Sequence, residues 1–418
     1  MTAPLVWAFF ILMALSVPVA HAMLGGVAVA LWLDGKPMAV IAQRLYTPTQ
    51  SFPMLAIPFF ILAGNLMMSG KFGVYLVNVA RLLVGRFRGG LGQVSIIGSV
   101  MFGGVSGSAV ADATALGNAL IPLQRKEGYP AGFSAAINAS SATVSVLIPP
   151  SIPLILYGLV SNVSIVDLFV AGILPGVMLG AGMLAAVAIV ARLRNLPRSP
   201  LAGGFKAYRA QILSALPALL MPVFIIGTLR FGVATPTEVS VMAVAYALLV
   251  SGLIYRDLSW RGLWRAAVDT GLMTGAVMII IMASSTIQWV LTAERVPQEL
   301  AVWVQATFAE PWMVILALNV VMLIVGAFLD LPAAVLLLGP LFVTIASAIG
   351  VDLVQLGLMM VVNLAIGLYT PPVGTTLFIS SAIAKAGIGE TVRALLPFYL
   401  VALLVLMLIS YVPALTLY

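Results

Sequence analysis

The chain has 418 residues, of which 62% are hydrophobic and only 8% charged. A soluble domain carries about 25% charged residues, so this composition excludes a soluble globular protein and predicts a multi-pass membrane protein. The absence of cysteine and the single histidine, His21, exclude disulfides, thiol catalysis and a histidine-rich metal site. The net charge of +7 does not indicate nucleic-acid binding, because the basic residues cluster in short stretches between apolar runs, which favours a lipid bilayer as the partner.

The apolar runs are about 17 to 25 residues long and do not alternate, which predicts membrane helices and excludes a β-barrel. The first run has no basic segment before it and another apolar run follows closely, so we expect a retained span rather than a signal peptide. A basic amphipathic stretch covers 71–88. The predicted spans are 4–20, 22–33, 52–69, 131–158, 168–190, 211–233, 235–255, 267–292, 353–384 and 391–413.

Two further apolar blocks are too long for one helix of about 20 residues. Block 91–123 is interrupted by glycines and serines and has basic residues at both flanks. If both flanks are cytoplasmic, this block enters and returns as a re-entrant hairpin. Block 312–350 is interrupted at Asp330 and has acidic flanks, which predicts a second hairpin of about 312–350 that enters from the opposite side.

Placing both termini outside puts 16 of the 20 basic residues on the cytoplasmic side. The predicted fold is an all-α polytopic membrane protein built as an inverted repeat. Its first half, 1–200, contains the first hairpin and a broken helix at about 131–158. Its second half, 201–418, contains the second hairpin and a broken helix at about 353–384. Segments 47–50 and 235–238 both read Thr-Pro-Thr followed by Gln or Glu, and we predict that both open helices.

The two halves carry the same sequence motif. Asp112 and Asp330 are each followed by a proline ten residues later, and each half then has a Pro-Pro pair, 149–150 or 371–372. Prolines lack an N–H and cannot continue a regular helix, so both helices must open at these pairs. Paired interruptions of apolar segments in two halves indicate the binding site of a secondary transporter. The alternative interpretation is a tight turn or proline kink used only for packing.

Unwound backbone and the hydroxyls near it suit a hard cation such as Na⁺, and helix N-termini suit an anionic substrate. Ser106 and Ser108 lie at the first tip, and an acid such as Asp112 at membrane depth is costly unless it is paired or solvated. Loose carbonyls and threonine hydroxyls at 367–376 predict a second oxygen-rich site. No Gly-x-x-x-x-Gly-Lys-Ser/Thr motif is present, which argues against ATP-driven pumping.

Residues 102–112 (FGGVSGSAVAD) and 363–374 (NLAIGLYTPPVG) resemble signatures of the large membrane subunit of TRAP transporters, the tripartite ATP-independent periplasmic type (DctM-like). Segments 59–64 and 235–238 also fit. The resemblance implies a sodium-coupled, elevator-type importer of an organic acid (a carboxylate) in a bacterial inner membrane, with both termini periplasmic. It implies two partners: a small four-span membrane subunit (DctQ-like) and a soluble periplasmic substrate-binding protein.

The resemblance also implies residue roles. The first sodium site would contain Ser106, Gly107, Ser108, Asp112, Asn138, Ser141 and Pro149. The second would contain Gly326, Asp330, Gly367, Thr370 and Val373. Substrate donors are predicted at Ser108, Asn138, Ser140, Asn363, Thr375 and Thr376. The chain departs from the family at Leu331-Pro332, where the family usually has Pro-Thr, so a hydroxyl is lost at the second tip.

Three alternatives remain open from the sequence. A stand-alone sodium/divalent-anion symporter shares the two-hairpin plan, and a neighbouring gene for a binding protein would argue against it. An ion channel would require a ring-forming filter and oligomeric symmetry. A membrane-embedded enzyme would need a catalytic set, which only Asp112 and Asp330 could imitate, so we expect no enzymatic activity, catalytic residues or organic cofactor.

Overall fold

The computed structural model describes residues 1–68, 70–198, 205–308 and 310–416, and the predicted boundary between the halves, at residues 200 and 201, lies outside them. Within these ranges the chain is helical and has no β-strand. The helices are α1 Thr2–Ala14, α2 Val19–Leu33, α3 Ala39–Tyr46, α4 Ala56–Met68, α5 Phe72–Val84, α6 Gly90–Ser106, α7 Ala109–Lys126, α8 Ala131–Ser141, α9 Ile152–Ser161 and α10 Ile165–Leu193. The others are α11 Phe205–Arg230, α12 Pro236–Leu249, α13 Trp260–Ala293, α14 Val296–Thr307, α15 Pro311–Phe328, α16 Leu331–Ala348, α17 Leu353–Gly367, α18 Thr375–Ala384 and α19 Ile388–Tyr411.

Helix length and hydropathy confirm a multi-pass membrane protein. In the described part of the chain, seven helices are long and apolar enough to cross a bilayer, or eight if the bent pair 39–50 and 52–68 forms one span. The prediction of ten simple spans counted α1 and α2 separately, yet these have only 13 and 15 residues. At 1.5 Å per residue, each is about 20 Å long, shorter than a hydrocarbon core of about 30 Å.

Helices α1 and α2 form an antiparallel pair. The chain turns between them at Ser16, which has φ 63°, and at the N-cap Pro18. The N-terminal amine of Met1 forms an ion pair with Glu294 at 3.3 Å. The Lys36 amine lies 3.4 Å from the Met1 sulfur, so the start of α1 lies beside the residues that follow α2. The turn lies inside 4–20, which was predicted as a single span, so the end of that predicted span is wrong.

The two Thr-Pro-Thr segments behave differently. Thr235 and Glu238 form a reciprocal capping box at the start of α12, as predicted. Segment 47–50 instead forms a 3₁₀ turn that continues α3, and a second 3₁₀ turn precedes α4, so this segment does not cap a helix. The stretch after Glu294 forms the 12-residue helix α14.

Helices α6 and α7 form the first hairpin. Gln124, near the end of α7, donates to the Leu91 carbonyl at 3.1 Å and the Ser95 hydroxyl at 2.9 Å, both near the start of α6. The chain reverses only at Gly107 and Ser108, whereas Gly103 and Gly104 remain helical. The observed interruption is therefore shorter than the glycine-serine run predicted.

Both broken helices are present. The first runs through α8 and the 3₁₀ turn Ala142–Val146, opens at 147–151 and resumes as α9. The second opens at 368–374, between α17 and α18. The Pro149-Pro150 and Pro371-Pro372 peptide bonds are both cis. The chain thus opens at each Pro-Pro pair, as predicted from the missing proline N–H groups.

The second hairpin, α15 and α16, opens at the opposite end of the molecule from the first. Helix α19 begins beside the first hairpin's open end, where Glu390 accepts the N–H of Gly132 at 2.9 Å. It runs 24 residues, about 36 Å, to Tyr411, which donates to the Trp312 carbonyl at 3.1 Å at the start of α15. Opposite entry of the hairpins is what an inverted repeat requires.

Candidate functional site

The first hairpin tip packs directly on the first Pro-Pro break. Gly107 has φ 57°, and a Cβ there would lie 2.1 Å from the Pro150 carbonyl oxygen. One turn earlier, a Cβ at Gly103 would lie 2.7 Å from the Ser145 Cα. Only glycine fits both the backbone conformation and the contact at position 107. The sequence therefore brings the tip and the opened helix into backbone contact.

The second half repeats this arrangement. A Cβ at Gly367 would lie 2.1 Å from the Gly326 carbonyl oxygen, so α15 and α17 touch through their backbones. The Val373 N–H donates to the Ala327 carbonyl at 3.2 Å, which ties the second break to the second tip. Here too, hairpin and broken helix are joined at the predicted site.

Both tips, residues on either side of the first break and the first residue of the second break line one cavity of about 330 Å³. Its walls combine the tips and breaks with faces of α4 and α13. The lining residues include Ser106, Gly107, Ser108, Ala109, Val110 and Ala111 of the first tip, Val146, Ile152 and Pro153 of the first break, Asp330, Leu331 and Pro332 of the second tip, Leu368 of the second break, and Ile61, Gly64, Asn65, Met68, Met273, Ala276 and Val277 of α4 and α13. Elements from both halves of the sequence therefore converge on a single space.

The carboxylates of Asp112 and Asp330 have oxygens without a hydrogen-bond partner of normal geometry in the described residues. Asp112 is fully buried. The Ser99 hydroxyl is near enough to act on its carboxylate, but neither oxygen accepts a hydrogen bond of normal geometry from a described residue. One carboxylate oxygen of Asp330 is also buried without such a partner. Buried carboxylates are costly unless a partner satisfies them, so both acids are suited to a cation.

Three of the other unpartnered buried oxygens belong to the second broken helix. The hydroxyls of Tyr369 and Thr375 and the side-chain carbonyl of Asn363 are buried and accept or donate no hydrogen bond within the described residues. No cluster of three His, Cys, Asp or Glu that could hold a metal occurs in those residues. Carbonyl, hydroxyl and single carboxylate oxygens are ligands for a hard monovalent cation.

Asn138 lies at a junction of three elements rather than on the cavity wall. Its amide donates to the Ala113 carbonyl of α7 at 2.8 Å and to the Ser380 hydroxyl of α18 at 2.9 Å. The side chain thereby joins the first hairpin, the first broken helix and the second broken helix. The sequence identified the residue, while its cross-linking contacts became visible only in the fold.

We predict that Asn138→Ala lowers the free energy of unfolding by about 1–3 kcal/mol, because two buried acceptors lose their donor. Thermal unfolding in detergent micelles measures this. Asn118→Ala is the matched control, since Asn118 is exposed and donates only to the Thr114 carbonyl of its own helix. Equal melting temperatures for the two variants would contradict a cross-linking role.

The other predicted residues divide into three groups. Ser106, Gly107, Ser108 and Asp330 line the cavity. Side chains of Ser140, Thr370 and Thr376 donate to backbone carbonyls of Ala136, Ile366 and Leu368. Pro149 and Gly367 are buried at the breaks, whereas the Val373 side chain is 42% exposed and lies on another cavity, beside α1.

In each half, a hydrogen bond between two polar side chains joins the hairpin to its broken helix. Ser99 donates to Ser141 at 3.1 Å in the first half, and Asn363 donates to the Asn319 side chain at 2.9 Å in the second. Ser141 and Asn363 each stand eight residues before their Pro-Pro pair. Residue type alone would pair Asn138 with Asn363, but contacts and spacing make Ser141 its counterpart.

Helices α4 and α13 also contribute to the cavity wall, which was not predicted. Asn65 lines the cavity and donates to the Thr270 hydroxyl at 3.0 Å. Asn65 follows Gly64 and Thr270 precedes Gly271, but neither run has the Pro-Pro pair or the glycine-serine run that marks the breaks and the first tip. Their separation of 205 positions also hides the pairing.

Comparison with known proteins gives a consistent result. The family model described as "Tripartite ATP-independent periplasmic transporter, DctM component" matches residues 6–415. The chain is 51% identical to the uncharacterized protein y4mL of Sinorhizobium fredii, with 100% of both chains covered. It is 36% identical to the C4-dicarboxylate TRAP transporter large permease protein DctM of Pseudomonas aeruginosa, over 94% of this chain and 92% of that protein.

Two further similarities concern architecture. The isethionate TRAP transporter permease protein DctMQ of Oleidesulfovibrio alaskensis is 34% identical over 99% of this chain but only 66% of its own length. Among solved structures, the Alcanivorax borkumensis YdaH transporter matches with a TM-score of 0.58 and 14% identity, covering 88% of this chain and 86% of that one. At this identity the match shows a shared fold only.

Proposed function

We propose a sodium-coupled import function for this chain, which belongs to the family of DctM components of tripartite ATP-independent periplasmic transporters. This membership confirms the resemblance inferred from the two long motifs. The family comprises membrane subunits of transporters rather than enzymes. The proposed substrate is an organic acid, a carboxylate, delivered by a periplasmic binding protein.

The observation that carries the proposal is the single cavity shared by both tips and both breaks. Its volume of about 330 Å³ suits a small organic molecule. The first turns of α7, α9 and α16 all contribute to its wall. Helix N-termini present N–H groups and positive partial charge, which favours an anionic ligand.

Asp112 and Asp330 give a physical reason why binding of sodium and binding of substrate would be coupled. Asp330 lies on the cavity wall and would repel an anionic substrate nearby. A sodium ion bound between a tip and its break would offset that charge and satisfy the orphaned oxygens. In this proposal the first sodium site includes Asp112 and the 106–108 tip, and the second includes Asp330 and the 367–373 break. Substrate then binds more tightly when sodium is present, which couples the two.

The proposed setting follows the family. We propose a bacterial inner membrane with both termini periplasmic, and movement of the hairpins and broken helices as one elevator domain against the remaining helices. The proposed partners are a small four-span subunit and a soluble binding protein. The isethionate TRAP transporter permease protein DctMQ is longer than this chain. Its name supports a close association of large and small subunits.

Uptake by proteoliposomes containing this chain, its small subunit and its binding protein tests the function. We expect accumulation of one organic acid from a panel of C4-dicarboxylates and isethionate when sodium is high outside. Collapsing the sodium gradient at constant proton gradient should reduce the initial rate to the background of protein-free vesicles. Uptake that follows the proton gradient alone would refute sodium coupling, and full uptake without the binding protein would favour a stand-alone symporter.

A further inference from the structure

A second cavity, of about 580 Å³, lies between the end of α5, the start of α6 and the end of α10. Four arginines line it: Arg86, Arg88, Arg192 and Arg198. Arg86 and Arg88 lie in the loop after α5, whereas Arg192 lies in the last turn of α10 and Arg198 in the loop after it. The two loops meet, since the Gly89 N–H donates to the Pro197 carbonyl at 3.1 Å. This cavity is separate from the transport site and has no part in the proposed function.

The charge of this arginine pocket is not balanced locally. No Asp or Glu lies on its wall within the described residues. The sequence contains no acidic residue anywhere in 35–111 or 168–237, the two stretches that supply the wall. Four converging guanidinium groups without a carboxylate repel each other, and a phosphate group is the ligand that their planar donors match best.

A neighbouring pocket shows what a balanced site looks like in the same molecule. It contains Arg194 and Arg393, but Glu390 lies on the same wall. Arg194 also lies over the Phe133 ring, 5.4 Å from its centroid. Arg194 and Arg393 thus share their pocket with a carboxylate. The arginine pocket also has an aromatic contact, since the Arg86 guanidinium lies 5.1 Å from the centroid of the Phe87 ring, but no acid lies on its wall within the described residues.

The remaining wall of the arginine pocket is apolar. Leu184 and Ala188 of α10 line it below the arginines. Phe87, also on this wall, is 46% exposed, as expected for a side chain that faces lipid. A soluble phosphate would leave this apolar wall uncovered, whereas a phospholipid covers it with an acyl chain.

We propose that the arginine pocket binds an anionic phospholipid, with the headgroup phosphate among Arg86, Arg88, Arg192 and Arg198 and one acyl chain along Leu184 and Ala188. The lipid would lie where the loop between α5 and the first hairpin meets the end of α10. Basic pockets at the membrane surface attract anionic lipids in this way.

Native mass spectrometry of the detergent-purified chain, titrated with dioleoyl phosphatidylglycerol, tests the proposal. Each basic residue near an anionic lipid contributes about 1 kcal/mol, and 1.4 kcal/mol is tenfold. The double variant Arg86→Gln/Arg192→Gln should therefore weaken binding about thirtyfold. Arg261→Gln/Arg265→Gln is the matched control, because it removes the same charge from exposed positions of α13 outside the pocket and should bind as wild type.

Two further arms separate the lipid from other ligands. Dioleoyl phosphatidylcholine should bind at least tenfold more weakly than phosphatidylglycerol, and millimolar inorganic phosphate should not displace the lipid. Equal loss in both double variants, equal binding of the two lipids, or displacement by phosphate would each overturn the proposal.

A measurement on the wild-type protein removes any dependence on folding of the variants. A photoreactive phosphatidylglycerol should cross-link to peptides that contain 84–93 or 184–198. Cross-links found only elsewhere in the chain would overturn the assignment, even if the arginine variants failed to fold.

Discussion

Asp112→Asn is expected to abolish sodium-driven uptake in proteoliposomes, lowering the initial rate by about 100-fold or more. The wild-type carboxylate is fully buried and accepts no hydrogen bond of normal geometry from a described residue. Removing one partner of a buried ionic interaction costs about 3 kcal/mol or more, and 1.4 kcal/mol is tenfold. Asparagine keeps the shape of the side chain and removes the charge that we propose binds sodium.

The same variant separates loss of sodium binding from loss of folding. Without sodium its melting temperature should equal or exceed that of wild type, because an unpaired buried charge is destabilising. Adding sodium should raise the melting temperature of wild type but change that of the variant much less. Glu299→Gln, an exposed carboxylate on α14, is the matched control and should behave as wild type. Normal uptake by Asp112→Asn would refute the proposed first sodium site.

Gly367→Ala is expected to lower uptake at least tenfold and to destabilise the protein by about 1–3 kcal/mol, the usual cost of overpacking. The new methyl group would lie 2.1 Å from the Gly326 carbonyl oxygen. Since the obstructing atoms belong to the Gly326 backbone, which cannot rotate away as a side chain can, the second hairpin must move away from α17. That movement separates the tip from the break that we propose share a sodium ion. Initial uptake rates and thermal unfolding in micelles measure the two effects.

Gly271→Ala gives the opposite expectation and serves as its control. No atom lies within 4 Å of the Cβ position at Gly271, within α13. Alanine is favoured over glycine in a helix interior by about 1 kcal/mol, so this variant should be as stable as wild type or more so. A Gly367→Ala protein that transports and unfolds like Gly271→Ala would contradict the close hairpin contact.

The interruptions were predictable because they are local. Proline at 149–150 and 371–372 and glycine at 107 restrict the backbone whatever surrounds them, so both hairpins and both broken helices could be located from residue type and spacing. The family followed from the same segments. The first pair of helices was harder to predict, because composition alone does not show that Ser16 and Pro18 turn the chain before it has crossed a full bilayer.

The sequence by itself determined that this is a helical membrane protein with two hairpins and two opened helices, and it determined the family. These features depend on hydropathy and on residues that break helices, and both are properties of short segments. Only the tertiary structure decided that Asn65 faces the cavity, that Ser141 rather than Asn138 is the counterpart of Asn363, and that four arginines share one pocket. Contacts of this kind join positions 40 to more than 200 residues apart, and helix packing, which local pattern does not encode, sets them.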